Sequence, residues 1–449
     1  MIHKIKYTLL LLVVVLFTRC EVEHKDFKPS SGEVDFSTFV ALGDSYTAGY
    51  TDGALGSRGQ QSSFPNIIAG QLASVGNKGF TQPWVRLDGS VGSTGAGYLQ
   101  LKIVDQGMAP VPNPGNIDIF AERVYDASTP INNLGVPGAK SFHLLATVVN
   151  ADPLTYYSQA NPFFSRFASS MNTSVLADAL AQNPTFVSLW IGGNDVLTYA
   201  LAGGEADSIT NPNMFANYMG AIAAQLFRGS TLGVIANVPD IEALPYFDAI
   251  PYDALEIDQA TADLLNAGYA QYNAGSEAMG LAKIEFVKGK NALVIADDDY
   301  AHPGKIRQIK NGEKVLLPAL SNIRDTEVGW GSKMPIPEEY VLDADDVADI
   351  DAATEAYNQT IKSIANQYGL AFVDLNALMQ EAGTTGLLLD GHTYTSTFIS
   401  GGIFSLDGIH ATARGSAIIA NAFIKAINKQ YNTNIPQAAI NSYETVSYP

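Results

Sequence analysis

Cysteine is almost missing: among 449 residues only Cys20 is one. A disulfide within the chain is therefore excluded, and so is a metal site built on cysteine. Charge is scarce too, at 16% of residues, and the basic share is the smaller: 26 Lys and Arg face 45 Asp and Glu, a formal charge of −19. Such a surface repels phosphate backbones, which argues against a nucleic-acid partner. No apolar run reaches the roughly 20 residues that cross a bilayer. What is plentiful is apolar material, 47% of the chain, enough for a sizeable core. Together with the low charge it argues against global disorder. The length allows one large elaborated domain, or two.

The position of the one cysteine is informative. Lys4 and Lys6 precede an apolar run from Tyr7 to Thr18, and Arg19-Cys20 follows it. Basic residues before a short apolar run match a secretory signal. A sole cysteine directly behind the run resembles a bacterial lipoprotein signal, in which the cysteine is lipidated and becomes the mature N-terminus. Arg19 departs from that pattern, since a small residue is usual there. The expectation is a signal peptide over 1–19, lipidation at Cys20, a polar tether over 20–37 and an extracytoplasmic, outer-membrane location. Removing 1–19 takes away Lys4, Lys6 and Arg19 and no acid, so the mature chain is more acidic still.

After the tether, several short apolar runs end in Gly, Asp or Asn, as buried parallel strands do. Phe39 to Leu42 runs into Gly43-Asp44-Ser45, and Phe186 to Ile191 into Gly192-Gly193-Asn194-Asp195. Leu232 to Ala236 runs into Asn237-Val238-Pro239-Asp240, and Ala371 to Val373 into Asp374. Between them, apolar residues recur at helical spacing over Pro65–Val75, Met171–Gln182, Met214–Phe227, Glu256–Met279, Ala352–Tyr368 and Thr412–Asn428. Strands alternating with helices predict an α/β fold, a three-layer α/β/α, flavodoxin-like, doubly wound parallel sheet. The domain is expected over 38–430, with a tail over 431–449. Two stretches break the alternation, about 76–130 and 241–351, and read as loop-rich insertions. In the second, Lys310-Asn311-Gly312-Glu313 predicts a hairpin, because Asn-Gly favours a tight turn.

Ligands of such sheets sit beyond the carboxyl ends of the strands, and that rim carries the chemistry. Ser45 follows the first strand. Serine is a poor nucleophile without a base. Near the other end, Asp407 and His410 lie three apart across a turn, so both side chains can point into one site. A carboxylate holding imidazole Nδ1–H leaves Nε2 free to take the serine proton. Acyl transfer also needs donors for an oxyanion. Asn194 offers an amide, the glycine turn Asn133-Leu134-Gly135-Val136-Pro137-Gly138-Ala139 a backbone N–H, and Ser45 its own N–H.

These four blocks, in this order, resemble the GDSL/SGNH hydrolase family. The resemblance implies Ser45 as nucleophile, Asp407 and His410 as its partners, and Ser45, Gly138 and Asn194 as the oxyanion hole, with Gly135 a rival to Gly138. It covers the framework from about Phe39 to Asn428 and not the two insertions. Tyr46 stands where the family usually has leucine, a position expected to pack. The activity implied is that of a serine esterase or lipase-type acylhydrolase, with no cofactor and no metal. Its substrate would be a small-molecule, lipid or glycan ester, and its membrane contact the lipid anchor. The alternative is a surface lipoprotein that binds glycan or lipid on the same scaffold without catalysis. An ordinary α/β-hydrolase is disfavoured, since its elbow needs Gly-x-Ser-x-Gly and Thr47 stands two after Ser45. Three further histidines are read as structural: His392 in a loop after Asp390, His302 after the acidic run Asp297-Asp298-Asp299, and His143 in a helix. Calcium binding by the acidic run is the minor alternative to a solvated loop.

Overall fold

A computed structural model describes residues 27–85, 97–104, 107–113, 123–147 and 161–449. Cys20, the segment 1–19 and the start of the tether lie outside the described residues. Five strands form one sheet: β1 (Phe39–Gly43), β2 (Asn133–Gly135), β3 (Phe186–Trp190), β4 (Leu232–Ala236) and β5 (Ala371–Val373). Every pairing is parallel, and the order across the sheet is β2-β1-β3-β4-β5. This is the flavodoxin-like order of a doubly wound sheet.

The strands are mostly apolar because both faces are covered. Alternate residues point to opposite sides. On one side Phe39, Ala41, Phe186, Trp190, Val234 and Val373 meet helices α2 (Phe64–Leu72) and α8 (Ala413–Tyr431). On the other, Val40, Leu42, Val187, Leu189 and Ile235 meet α3 (Val175–Ala181), α4 (Asn194–Leu201), α5 (Pro212–Leu226) and α6 (Ala344–Tyr368). Serine or asparagine caps start two of them: Ser174 accepts from Ala177 N–H, and Asn211 from Asn213 N–H ahead of Pro212.

Several elements differ from the sequence expectation. β2 is a strand where the sequence read only a glycine turn. Asn133 enters the sheet because its side chain is satisfied inside: Nδ2 donates to the Thr47 carbonyl and to Gln82 Oε1, both at 2.8 Å. The helix expected over 256–279 is two, Gln259–Gly268 and Ala270–Ala278, after a ribbon strand Leu255–Ile257. Asp258 caps the first, its side chain accepting from Thr261 N–H at 2.8 Å. α6 begins eight residues earlier than expected, at Ala344, behind a capping box made by Asp343 and Asp346.

The Lys310–Glu313 turn forms, but it does not join a hairpin. Ile306–Gln308 pairs with Val294–Ala296, whereas Lys314–Val315 pairs with Val341–Leu342. The cause is Glu313, whose buried carboxylate folds back to Arg307 Nη1 and Nη2 at 2.7 and 2.9 Å and to Lys310 N–H. The second insertion is more than loops. It packs two small cores of its own, one around Leu293, Ile295 and Ile336, the other around Leu265, Ile284 and Phe286. The tail also returns to the body: Ser30 and Asn434 exchange backbone hydrogen bonds, and Ile435 and Ile440 are buried.

Candidate active site

The strand registers set the rim. Gly43 lies level with Gly135 on one side and Trp190 on the other. The segments leaving these three positions therefore emerge side by side. From β1 comes Ser45, from β2 the turn Val136–Ala139, and from β3 the segment that carries Asn194.

Ser45 opens the four-residue helix α1 (Ser45–Ala48), capped by Asp44, whose Oδ1 accepts from Tyr46 N–H at 3.1 Å. Ser45 Oγ is 2.8 Å from His410 Nε2, and His410 Nδ1 is 2.9 Å from Asp407 Oδ2. The two arms of this chain are 365 residues apart in sequence. The Asp407 carboxylate is saturated. Oδ1 accepts from Ile409 N–H at 2.9 Å, His410 N–H at 2.8 Å and Ser405 Oγ–H at 3.0 Å, and Oδ2 also accepts from Gly53 N–H at 2.9 Å. Burial by itself would raise this carboxyl. The facing His410 ring and the backbone donors outweigh it and hold the group at about 2.

Cross-links fix the two halves. Asp52 N–H donates to Ser405 Oγ, Asp52 Oδ1 accepts from Leu406 N–H, and Thr51 Oγ1 donates to the Ala411 carbonyl. The Tyr46 hydroxyl donates to the Ile409 carbonyl. The rings of Tyr46 and Tyr50 flank His410, with centroids 5.4 and 4.7 Å from it. Tyr46 does pack, between the imidazole and Trp190, whose ring lies 4.7 Å away. Neither tyrosine was singled out for this role by the sequence. No local pattern signals a ring contact with a residue some 360 positions away.

Asn194, at the start of α4, is brought beside Ser45; both line one small cavity. One Asn194 amide hydrogen goes to the Ala139 carbonyl at 3.1 Å, which ties the β2 turn to α4. Asp195 reinforces the tie: it is fully buried and accepts from Ser141 N–H at 2.7 Å and Ser141 Oγ–H at 2.8 Å. Burial pushes its carboxyl up despite these bonds. Its position beside Asn194 was visible in the sequence, but its positioning role needed the fold.

The two rival glycines have different surroundings. A Cβ on Gly135 would lie 2.2 Å from the Ala48 nitrogen, so this glycine permits β2 to pack on α1. Gly138 is exposed and sits at φ +73° in the turn, the left-handed region that favours glycine.

Asp44 also lines the cavity, and burial raises its carboxyl to about 7. Much of the rest of its lining is apolar: Trp190, Leu197, Pro239, Ile241 and Leu244. Ile241 and Leu244 belong to the start of the second insertion. That insertion also reaches the Asp407–His410 turn, where Tyr246 N–H donates to the Gly408 carbonyl at 3.0 Å.

The three other histidines lie elsewhere. His392 ends a two-residue turn whose Asp390 and Gly391 both have positive φ. His302 packs against Tyr272 with the rings tilted by 39° and centroids 3.8 Å apart. His143 accepts from Lys140 N–H in a 3-10 turn where a helix was expected, and burial lowers it to about 4. In the acidic run, Asp297 pairs with Arg307 at 2.5 Å. Among the described residues no group of three or more His, Cys, Asp or Glu is arranged to hold a metal ion.

A family model described as GDSL-like Lipase/Acylhydrolase matches residues 39–423. No curated protein matches the chain. Among solved structures it is similar to LAE5, an alpha/beta hydrolase enzyme from the metagenome of Lake Arreo, Spain, with 11% identity and a TM-score of 0.36 over 88% of this chain and 96% of that one. It is similar to Axe2, an acetylxylan esterase from Geobacillus stearothermophilus, with 12% identity and a TM-score of 0.34 over 88% and 96%. A lipase/acylhydrolase from Enterococcus faecalis gives 11% identity and a TM-score of 0.32 over 89% and 98%.

Proposed function

The chain belongs to the GDSL-like lipase/acylhydrolase family, and from that premise we propose that it hydrolyses carboxylic esters with Ser45 as nucleophile, His410 as base and acid, and Asp407 as the group that orients His410. The observation that carries the reading is the unbroken hydrogen-bonded chain from Ser45 Oγ through His410 to Asp407. As Ser45 Oγ bonds to the ester carbonyl carbon, its proton passes to His410 Nε2, and the carbonyl electrons move to oxygen. The Asp407 carboxylate, ionised at any physiological pH, stabilises the imidazolium so formed. The Ser45 N–H, the Gly138 N–H and the second Asn194 amide hydrogen are assigned to the oxyanion. Collapse breaks the bond to the alcohol, which leaves with the proton from Nε2. Water then clears the acyl-enzyme by the same steps, with Nε2 taking a proton from water. The residues named supply each of these steps.

The test is turnover of p-nitrophenyl acetate by the full chain. Wild-type protein is expected to turn over and Ser45→Ala to lose activity to background. Well-folded wild-type protein inert toward esters of every acyl length would refute the reading and favour a binding role for the scaffold.

A further inference from the structure

The cavity at the nucleophile has a volume of about 20 Å³. That is room for one water molecule or one methyl group. Its apolar wall is not a loose loop. Trp190 is buried and held between Tyr46, at 4.7 Å, and Phe64, at 5.4 Å. The segment from Asn237 to Leu244 is pinned at successive residues. Asn237 Oδ1 accepts from Leu375 N–H and Asn376 N–H. Val238 exchanges both backbone groups with the Asn358 side chain of α6, at 2.8 and 2.9 Å. Asp240 Oδ1 accepts from Glu242 N–H and Ala243 N–H. Ile241 and Leu244 are buried, with Leu244 N–H bonded back to the Ile241 carbonyl.

From this small, braced cavity we infer that the enzyme is selective for acetyl esters. The acyl methyl fills the space between Asn194 and the Trp190–Leu244 wall. A longer chain that follows the methyl into this cavity must displace Ile241 or Leu244, which continue the segment that Val238 ties to α6 and the Asn237 side chain ties to the start of α7 (Leu375–Thr384). The inference rests on the ester-hydrolase reading and adds to it the acyl group. A misfit methylene in an apolar pocket costs roughly 10–200-fold in kcat/KM.

The experiment compares p-nitrophenyl acetate, butanoate and octanoate with wild type, Leu244→Ala and Ile241→Ala. The wild-type kcat/KM is expected to be at least tenfold higher for acetate than for octanoate. At least one of the variants should raise the octanoate-to-acetate ratio tenfold or more. Using two wall positions guards against one variant failing to fold. Acetyl and butanoyl esters of glycerol and of glucose extend the series to aliphatic alcohols, and acetyl should lead there too. A smaller wild-type ratio, wall variants that leave the ratio unchanged, or an acetyl preference confined to the nitrophenyl esters overturns the inference. Labelling of Ser45 by dimethyl p-nitrophenyl phosphate, read as a mass shift, separates the two failures. A labelled, active enzyme with a flat chain-length profile refutes the acyl limit alone. No label and no turnover on any ester refutes the hydrolase reading, and the acyl limit with it.

Discussion

Asp407→Asn tests the proposed mechanism most sharply, because the geometry dictates which way the amide must turn. Asp407 Oδ1 accepts three donors, from Ser405, Ile409 and His410 N–H, whereas Oδ2 accepts two, from His410 Nδ1 and Gly53. Asparagine has one oxygen for these two posts. The three-donor post claims it, which aims the amide NH2 at His410 Nδ1. Two donors cannot face each other, so Nδ1 becomes the acceptor and the ring proton moves to Nε2. Nε2–H then faces Ser45 Oγ and cannot take its proton. The loss of the base tautomer and of the charge facing the imidazolium is expected to lower kcat by about 10³–10⁴, or about 4–6 kcal/mol of barrier. The assay is kcat and KM on p-nitrophenyl acetate, with KM expected to change much less. The same carboxylate contributes to stability. Its folded value of about 2 lies below the ordinary 3.8, so the contribution is about 2 kcal/mol, complete above 3.8 and lost as the pH falls toward 2. The wild-type and variant melting temperatures should therefore converge in acid. A folded Asp407→Asn protein within tenfold of wild-type kcat would refute the argument, since the imidazole would then need no carboxylate.

Asn194→Ala removes an assigned oxyanion donor and should cost about 10²–10³ in kcat; the same kinetics check it, and an unchanged kcat would release Asn194 from the role. Asp44 is held neutral up to about 7, above its ordinary 3.8, so folding is progressively penalised as the pH rises between those values. Asp44→Asn keeps the cap on Tyr46 without titrating, so its melting temperature should fall less than that of wild type from pH 5 to pH 8; parallel curves would count against the buried acid. Gly135→Ala drives a Cβ to 2.2 Å from the Ala48 nitrogen and should destabilise by a few kcal/mol, whereas Gly138→Ala meets only the positive-φ strain of about 1 kcal/mol; denaturant midpoints compare them. Glu313→Ala leaves the Arg307 guanidinium partly unpaired inside the second insertion and should cost about 3–5 kcal/mol there, seen as faster proteolysis of 241–343 while the sheet stays protected.

Four of the five sheet strands could be read directly from the sequence, because a strand buried on both faces has to be a short apolar run. The fifth, Asn133–Gly135, could not, since its polar residue is tolerated only through the bonds it makes to Thr47 and Gln82. The Lys310–Glu313 turn was legible as a turn, but not the pairing around it, because Glu313 finds Arg307 rather than the strand opposite. For the site, serine, histidine, aspartate and asparagine were named from their residue types and from where they fall after strands and before a helix.

The sequence by itself thus determined the layers, the rim and the kinds of group that stand on it, since hydrophobic period and turn chemistry are local properties of the chain. Only the tertiary structure decided the rest: the 2.8 Å contact across 365 residues, the two tyrosines around His410, the different surroundings of Gly135 and Gly138, and the size of the cavity beside Ser45. Each of these depends on how segments distant in sequence stack on one sheet. Packing between distant segments leaves no periodic mark on any of them.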